Sequence, residues 1–248
     1  MKIGIILATY NRDKLLLNTI RSIENQTYKN YLICVVDDGS KIPVKSFLKE
    51  NEKLKIITLP QNRGNNFARN EALNYLKNKV DFITIIDDDD EFKENAFEEF
   101  VKDYKQFKKD WFVYKVEDKN TKKVLSRFKA YGEWDYLWYM WRIKFFKDGQ
   151  HFFNTKLIDE NIKFTNEFKN GQEWYFWIHL NTKTKMFVSD KVLAKKEYLS
   201  SGLSNNKNEK EYKQKFYFKK YVMKKLGYSL IKWQILKGIY EITKFFTK

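Results

Sequence analysis

A short apolar run that ends in four acids constrains this sequence more than any other feature. Ile83-Thr84-Ile85-Ile86 has the composition of a buried strand, and Asp87-Asp88-Asp89-Asp90 follows it at once. Adjacent carboxylates repel one another, and an unpaired buried charge is costly. The strand end therefore needs either open solvent, as a solvated acidic turn, or a cation. Hard divalent cations such as Mg2+ and Mn2+ take oxygen ligands of this kind.

The chain before these acids alternates apolar runs of strand length with helical patterns. Continuously apolar strands are typical of a parallel sheet that is covered on both faces, so we expect an α/β fold with a Rossmann-like, mostly parallel sheet flanked by helices. Ligands of such sheets bind at the carboxyl ends of the strands, where the acids lie. The predicted strands are residues 2–8, 31–36, 54–59, 81–86, 111–116 and 123–127, and the predicted helices are residues 13–26, 44–51, 67–78 and 94–109.

Composition excludes several classes of protein. Hydrophobic residues make up 43% of the 248 residues, which is enough for a sizeable core and excludes a disordered chain. A single cysteine, Cys34, excludes a disulfide scaffold, and with only two histidines a zinc site is not expected. The sequence has no recognisable signal peptide and no apolar run long enough to span a bilayer, so we expect a cytoplasmic protein.

The net charge of +16 is unevenly distributed. Residues 205–248 contain twelve lysines against three glutamates, so this segment carries +9 and the other residues carry +7. Its apolar residues recur among the lysines, and we expect a basic amphipathic helical extension. Such a tail suits an anionic membrane surface, which would place the protein on the inner face of the plasma membrane. The alternative is a helical cap packed on the domain.

Six short motifs in the first part of the chain resemble those of family 2 glycosyltransferases, which have the GT-A fold. A lone Asp-x-Asp would be uninformative, but these motifs follow one another in the family's order over roughly the first hundred residues. The motifs are Thr9-Tyr10-Asn11-Arg12, Gln26-Thr27-Tyr28, Val35-Val36-Asp37-Asp38-Gly39-Ser40, Asn62-Arg63-Gly64, Ala68-Arg69-Asn70 and Ile86-Asp87-Asp88-Asp89-Asp90.

The resemblance implies a nucleotide-sugar donor and a divalent metal, Mn2+ or Mg2+. Asp87 and Asp89 would form the metal-binding pair, with Asp89 as the more direct ligand. Such a metal would stabilise the charge that develops on a diphosphate leaving group. The residues that the resemblance assigns to the donor are Thr9 and Tyr10 at the base, Asp38 at the base or ribose, Arg69 near the base or diphosphate, and Arg12 and Asp88 beside them.

A second acidic segment lies far along the chain. Gln172-Glu173, followed by Trp174-Tyr175-Phe176-Trp177, resembles the family's Glu-Asp pair, whose second acid is the catalytic base. The resemblance implies that Glu173 deprotonates the acceptor hydroxyl as this group attacks the anomeric carbon from the face opposite the diphosphate. The alternative is a glutamate at a helix N-terminus, where the helix dipole favours negative charge.

Residues 192–204 occupy the place of the family's flexible loop. Lys196 stands where the family has arginine, and Tyr198 stands where it has histidine. The resemblance implies that Lys196 contacts the donor phosphates and that the segment closes over the donor. Asp90 is expected to cap a helix that begins near Phe92.

Aromatic residues are concentrated in residues 131–141, which contain three tryptophans and three tyrosines. This segment could border an acceptor pocket, because tryptophan rings stack on sugar faces, or it could be the buried face of a helix. His151 lies between Gln150 and Phe152, and a structural role is expected for it.

The expected organisation is a GT-A domain in residues 1–204 and a basic tail in residues 205–248. Within the domain, residues 1–110 would bind the nucleotide-sugar and residues 111–204 the acceptor. The acceptor would be a glycan or a lipid-linked glycan in surface polysaccharide or lipooligosaccharide biosynthesis.

Two other functions fit parts of the sequence. A nucleic-acid-associated protein, or a glycosyltransferase that modifies DNA, would explain the net charge, but the excess lies in the tail and no nucleic-acid motif is recognisable. A nucleotidyltransferase also uses paired carboxylates and a metal. That class usually has a glycine-rich phosphate loop after its first strand, and Thr9-Tyr10-Asn11-Arg12 lacks one.

Overall fold

The strands and helices of the protein, as seen in a computed structural model, follow the predicted alternation through the first part of the chain. The structure describes residues 1–126, 128, 131–136, 149–197, 214, 218 and 220–227. The strands are β1 (Ile3–Thr9), β2 (Tyr31–Asp37), β3 (Leu54–Thr58), β4 (Phe82–Ile85), β5 (Glu91–Phe92), β6 (Trp111–Asp118), β7 (Gly132–Trp134), β8 (Gln150–Asn154) and β9 (Met186–Lys196). The helices are α1 (Asp13–Glu24), α2 (Asn65–Leu76), α3 (Ala96–Phe107) and α4 (Trp174–Asn181).

One sheet contains the nine strands named above, in the order β3-β2-β1-β4-β8-β6-β9-β5, with β7 paired to β9. The first four strands are parallel, and the second half adds antiparallel pairs on either side of β8. Strand β4 is therefore the seam at which the two halves meet. The α/β architecture with flanking helices, expected from the sequence, is confirmed.

The two faces of the sheet are covered by different helices. Ile3 and Ile5 belong to a core cluster with buried residues of α1 and α3, such as Leu16 and Phe97. Gly4 points the other way, because successive strand residues face opposite sides. A Cβ atom at Gly4 would lie 3.3 Å from Leu76 of α2, so glycine lets α2 pack closely on this second face.

The structure differs from the sequence expectations in several places. Residues 44–51, expected as a helix, form a single 3-10 turn at Val44–Ser46. Of the segment expected as a strand, the structure describes residues 123–126, in which Val124 forms an isolated bridge to Glu117. Strands β8 and β9 were not predicted. Because β9 continues to Lys196, residues 192–196 are strand rather than flexible loop.

Cys34 and His151 are structural residues, as expected. Cys34 is fully buried in β2, and burial raises the pKa of its thiol to about 12. His151 accepts a hydrogen bond from the Trp111 indole N–H and stacks on Trp177. Burial lowers the pKa of His151 to about 3, so this ring is neutral at physiological pH.

The chain divides into two compact units, Met1–Tyr198 and Leu199–Lys248. In the second unit, residues 220–225 are helical and Gly227 follows in a left-handed conformation. Most of the predicted amphipathic tail lies outside the described residues. No helix in the described part of the chain has the length and apolar character needed to cross a membrane.

Candidate active site at the carboxyl edge of the sheet

The acid cluster lies at the carboxyl edge of the sheet, beside the ends of β1 and β2. Thr9 pairs with Asp37 in register, and the Asp38 N–H donates to the Thr9 carbonyl. Because Ile85 pairs with Ile6, the residues after β4 reach the same edge. The folding of a parallel sheet thus brings together polar residues that are far apart in sequence.

Asp88 faces the β1 end of this edge. Its carboxylate accepts a hydrogen bond from the Thr9 hydroxyl at 2.7 Å and from the Arg12 guanidinium at 3.0 Å. Arg12 also donates to Asp89 at 2.9 Å. Burial raises the pKa of Asp88 to about 6, although the hydroxyl and the guanidinium act in the opposite direction. Arg12 therefore joins two neighbouring acids through one cation.

Asp87, Asp89 and Asp90 form a cluster of potential metal ligands. One carboxylate oxygen from each lies within 4.8 Å of the others. The set therefore includes Asp87 and Asp89, the pair implied by the sequence, and adds Asp90. Hard oxygen donors of this type suit Mg2+ or Mn2+.

Asp90 does not cap a helix, contrary to the sequence expectation. Residues 91–92 form β5, and α3 begins only at Ala96. The Asp90 carboxylate instead pairs with the Lys196 ammonium at 3.0 Å and accepts the Glu197 N–H at 3.1 Å. Asp90 thus fixes the end of β9 at the acid cluster.

The acids outnumber the cations that contact them. Burial raises the pKa of Asp90 to about 7 and also raises that of Asp89, to which the Asp87 charge adds. At Asp87, the charges of Arg69 and Lys196 outweigh desolvation and lower the pKa. With all five acids ionised, Asp87–Asp90 and Glu173 would exceed Arg12, Arg69 and Lys196 by two negative charges. A divalent cation would balance that excess, so the residues fit a metal.

Arg69 connects the acid cluster to Glu173. Its buried guanidinium donates from one nitrogen to Asp87 at 2.6 Å and from the other to Glu173 at 2.9 Å. The two carboxylates are each about two-fifths exposed, with 41% for Asp87 and 43% for Glu173. Arg69 therefore holds both acids from the buried side while their side chains stay partly exposed.

Glu173 immediately precedes α4 and is presented by a sharp turn. Gly171 and Gln172 both have positive φ, at 73° and 66°, and the Gln172 side chain accepts a hydrogen bond from the Trp174 indole. Within the described residues, the Glu173 carboxylate caps no N–H of α4 and binds Arg69 instead. The position of Glu173 before a helix agrees with both sequence interpretations, the catalytic base and the glutamate at a helix N-terminus. Its hydrogen bond with Arg69, however, joins the carboxylate to the acid cluster.

The loop that carries Glu173 is fixed to α2 by asparagine side chains. Asn66 donates to the carbonyls of Phe168 and Gly171, both at 2.9 Å. Asn70 donates to the Phe164 carbonyl at 3.0 Å and accepts the Phe164 N–H at 2.8 Å. Since α2 also carries Arg69, the same helix positions the arginine and its distant partner.

Gly64 allows α2 and this loop to approach one another. It has φ of 96°, and a Cβ atom there would lie 2.5 Å from the Lys169 carbonyl oxygen. We expect Gly64→Ala to lower the free energy of unfolding by about 3 kcal/mol, from backbone strain plus this clash. Gly132→Ala is the control, because Gly132 also has positive φ but its Cβ would meet nothing within 4 Å. Urea denaturation of both variants checks the difference, and equal losses would contradict the clash.

The remaining predicted donor residues are Asp38, which follows β2, and Tyr10, which follows β1. The buried Asp38 carboxylate accepts the backbone N–H groups of Arg63 at 2.7 Å and Gly64 at 2.8 Å. It therefore shapes the loop before α2. Tyr10 is 43% exposed, and an exposed aromatic ring is suited to stacking on a base. The guanidinium of Arg63 lies over the Phe67 ring at 3.4 Å.

The structure brings most of the predicted site residues into one network. Thr9, Arg12, Arg69, Lys196, Glu173 and the acids from Asp87 to Asp90 are joined by the contacts described above. Sequence reasoning missed Asn66 and the metal-cluster position of Asp90. The aromatic segment at residues 131–141 lies partly outside the described residues; within it, Tyr136 is buried and packs near Trp111.

We do not expect lysine to replace Arg69 without a loss of activity. Lysine has a single ammonium and cannot span Asp87 and Glu173 with two directed donors. We expect Arg69→Lys to lower the transfer rate about 10-fold, in line with the loss of one charge-assisted hydrogen bond. Arg21→Lys, on the exposed side of α1, is the control and should leave the rate unchanged. Steady-state kinetics with thermal unfolding checks the prediction, and a fully active Arg69→Lys protein would contradict it.

Comparison with known proteins agrees with this architecture. The model of the family described as "Glycosyl transferase family 2" matches residues 4–193. A Campylobacter jejuni protein, GalNAc(5)-diNAcBac-PP-undecaprenol beta-1,3-glucosyltransferase, is 28% identical over 200 residues, covering 75% of this chain and 62% of that protein. Glycosyltransferase GlyG of Streptococcus pneumoniae is 25% identical over 209 residues, covering 83% and 60% respectively. The chain thus spans about three-fifths of these relatives.

Among solved structures, S. aureus TarS residues 1–349 in complex with UDP-GlcNAc resembles the chain with a TM-score of 0.72. The alignment covers 84% of this chain and 62% of that one, at 22% sequence identity. Identity at this level shows a shared fold. The site described above lies within the residues that the family model matches, apart from Lys196 and Glu197.

Proposed function

This chain belongs to glycosyl transferase family 2, and from that premise we propose that it is a metal-dependent inverting glycosyltransferase. It transfers a sugar from a nucleotide-sugar to a hydroxyl group of a glycan or lipid-linked glycan. The observation that carries the proposal is the Arg69 bridge between Asp87 and Glu173. It places an acid of the proposed metal cluster and the proposed base on either side of one site.

Glu173 acts as the base in this proposal. Its exposed oxygen takes the proton of the acceptor hydroxyl while that oxygen forms a bond to the anomeric carbon. The bond from the anomeric carbon to the diphosphate oxygen breaks at the same time, and the diphosphate leaves on the opposite face. Arg69 donates to the other Glu173 oxygen and so fixes the orientation of the carboxylate.

Asp87, Asp89 and Asp90 would hold the divalent cation, which supplies electrostatic stabilisation of the diphosphate charge. Lys196 lies 3.9 Å from Asp87 and adds a positive charge on the same side. In this proposal Thr9 and Arg12 act on the sugar donor indirectly, because their hydrogen bonds orient the Asp88 carboxylate. Tyr10 and Asp38 are assigned to the nucleoside end of the donor.

The donor is proposed to be a UDP-sugar. The TarS structure that shares the fold contains UDP-GlcNAc, and this supports the nucleotide without identifying the sugar. The C. jejuni relative acts on an undecaprenol-linked glycan, which supports a lipid-linked acceptor in surface polysaccharide or lipooligosaccharide biosynthesis.

The proposal is tested by screening UDP-, GDP- and dTDP-sugars for donor hydrolysis with Mn2+, with Mg2+ and with a chelator. We expect hydrolysis of a UDP-sugar that requires the metal. Thermal shift with the same donors gives an independent measure of binding. A protein that neither binds nor hydrolyses any nucleotide-sugar would contradict the proposed function.

The basic tail is proposed to contribute to peripheral association with an anionic membrane. Twelve lysines and interspersed tryptophan and phenylalanine in residues 205–248 support this role. Vesicle flotation of the full chain against a chain ending at residue 204 checks it, and equal flotation of the two would remove the tail from this role.

A further inference from the structure

The loop between β2 and β3 exposes an aliphatic side chain among lysines. Ile42 is 63% exposed. Lys41, Lys45 and Lys49 surround it in sequence, and each is exposed. Residues 39–49 contain no acid. The combination of one projecting apolar group and three cations is typical of interfacial segments.

The acids that flank this loop do not neutralise it. Asp37 is fully buried and accepts the backbone N–H groups of Ser40 and Val44. Glu50 forms its ion pair with Lys55 at 2.8 Å, and Lys45 acts on Glu50 only through a weaker, longer-range attraction. The three loop lysines form no ion pair with any residue that the structure describes. Their charges are therefore available to an external anionic surface.

The loop is held in place rather than loosely attached. The Lys41 N–H donates to the Asn11 side chain at 2.8 Å, and the Asn11 N–H donates to the Ser40 hydroxyl at 2.9 Å. Pro43 follows Ile42 and fixes φ at −60° before the 3-10 turn. Ile42 thus projects from a braced loop, so its insertion into an apolar phase would require little ordering.

The exposed loop lies beside the candidate active site. Lys41 and Ile42 line the mouth of a cavity of about 280 Å3 whose other walls include Thr9 and Arg12. Thr9 and Arg12 also contact the acid cluster, so the loop lies at the same edge of the sheet as the active site. Asp13, an exposed acid, also lines this cavity.

We propose that residues 39–49 form a membrane-docking loop, which inserts Ile42 into the interface of an anionic bilayer while Lys41, Lys45 and Lys49 contact lipid phosphates. An anionic bilayer fits better than a protein partner because the cations are unpaired and the apolar contact is a single side chain. Docking through this loop turns the carboxyl edge of the sheet toward the membrane. It goes beyond the proposed transfer reaction and is independent of the basic tail.

A fluorescent label at position 42 tests this surface directly in the full chain. Cys34 is fully buried, so Ile42→Cys provides the reactive thiol for an environment-sensitive nitrobenzoxadiazole label. Asn78→Cys is the control, because Asn78 is exposed before β4, at the opposite edge of the sheet. With vesicles of equal phosphatidylcholine and phosphatidylglycerol, we expect a blue shift and brighter emission at position 42 and none at position 78.

Emission at position 42 that stays water-like overturns the proposal, whether the protein floats with the vesicles through another segment or does not bind them. A blue shift of equal size with pure phosphatidylcholine overturns the part assigned to the lysines. Donor hydrolysis is measured without vesicles on the unsubstituted, unlabelled protein, so failure of docking and failure of the proposed function are distinguishable.

A charge variant gives a second measurement. Replacing Lys41, Lys45 and Lys49 by glutamine should weaken binding to the anionic vesicles roughly 100-fold, since each lysine near such a surface contributes about fivefold. Replacing Lys53, Lys77 and Lys79, which precede β3 and β4 at the opposite edge, changes the net charge equally. Equal weakening by the two triple variants would mean that total charge, and not this loop, determines binding.

Discussion

Replacing Glu173 by glutamine is expected to lower the rate of sugar transfer by roughly 1,000-fold, the usual range for loss of a general base. Glutamine has nearly the same shape and can still accept the Arg69 hydrogen bond, so the site geometry should survive. What it loses is the ability to take the proton of the acceptor hydroxyl. Single-turnover transfer and donor titration of the same protein separate the two effects.

The donor affinity of Glu173→Gln should stay within about twofold of the unchanged protein, because a residue that only removes a proton contributes little to donor binding. Glu167→Gln is the matched control, since Glu167 is an exposed residue of the same loop. A Glu173→Gln protein with full transfer activity would refute its role as base. Loss of activity in both variants would point to a disturbed loop instead.

Replacing Asp89 by asparagine should cost at least about 100-fold in metal-dependent transfer, since a metal at a developing charge contributes several kcal/mol. The substitution removes one anionic ligand from the cluster with Asp87 and Asp90 and also removes the negative charge from the Arg12 contact at 2.9 Å. Both changes act on the same site, so Mn2+ affinity should be measured directly, by calorimetry, alongside the rate.

Excess Mn2+ should restore part of the activity of Asp89→Asn if weakened metal binding is the cause. Asp159→Asn is the control with the same change in net charge, because Asp159 pairs with Lys183 and belongs to no metal cluster among the described residues. This variant should bind Mn2+ normally. Unchanged Mn2+ affinity in Asp89→Asn would exclude Asp89 as a ligand. Full activity of the unchanged protein in a chelator would reject metal dependence as a whole.

The first four strands were predictable because their residues are continuously apolar and their ends are polar. That pattern reports a buried parallel sheet directly, and β1 to β4 lie within two residues of the sequence expectations. The location of the acids at the carboxyl edge follows from the same logic. The apolar run of each strand and the polar residues at its end can both be recognised within one short segment of the sequence.

Strands β8 and β9 were not predictable in the same way. Strand β8 contains Gln150 and His151, which are polar yet buried because Thr84 and Trp111 supply their hydrogen bonds. Strand β9 carries four charged residues among its eleven, so it resembles a loop until its pairing with β6 is known. Partners on distant segments decide these strands, and one sequence does not specify them.

The contact between Arg69 and Glu173 illustrates the same limit within the site. Each residue was predicted separately, but 104 positions separate them and no local pattern signals that they meet. The error at Asp90 has a related cause. A carboxylate before a helical pattern suggests a cap, whereas its actual partners, Lys196 and Glu197, lie more than a hundred positions away.

The seam at β4 also limits how the chain can be divided. Strand β4 pairs with β1 on one side and with β8 on the other, so residues 1–110 alone would end in an open sheet edge after folding. Such an edge is a template for pairing with other chains. A fragment of that length would hold the acid cluster and Arg69 but would be prone to self-association. A second fragment supplied separately would have to pair with this edge before the first fragment aggregates. We therefore expect the two halves to fold efficiently only within one chain.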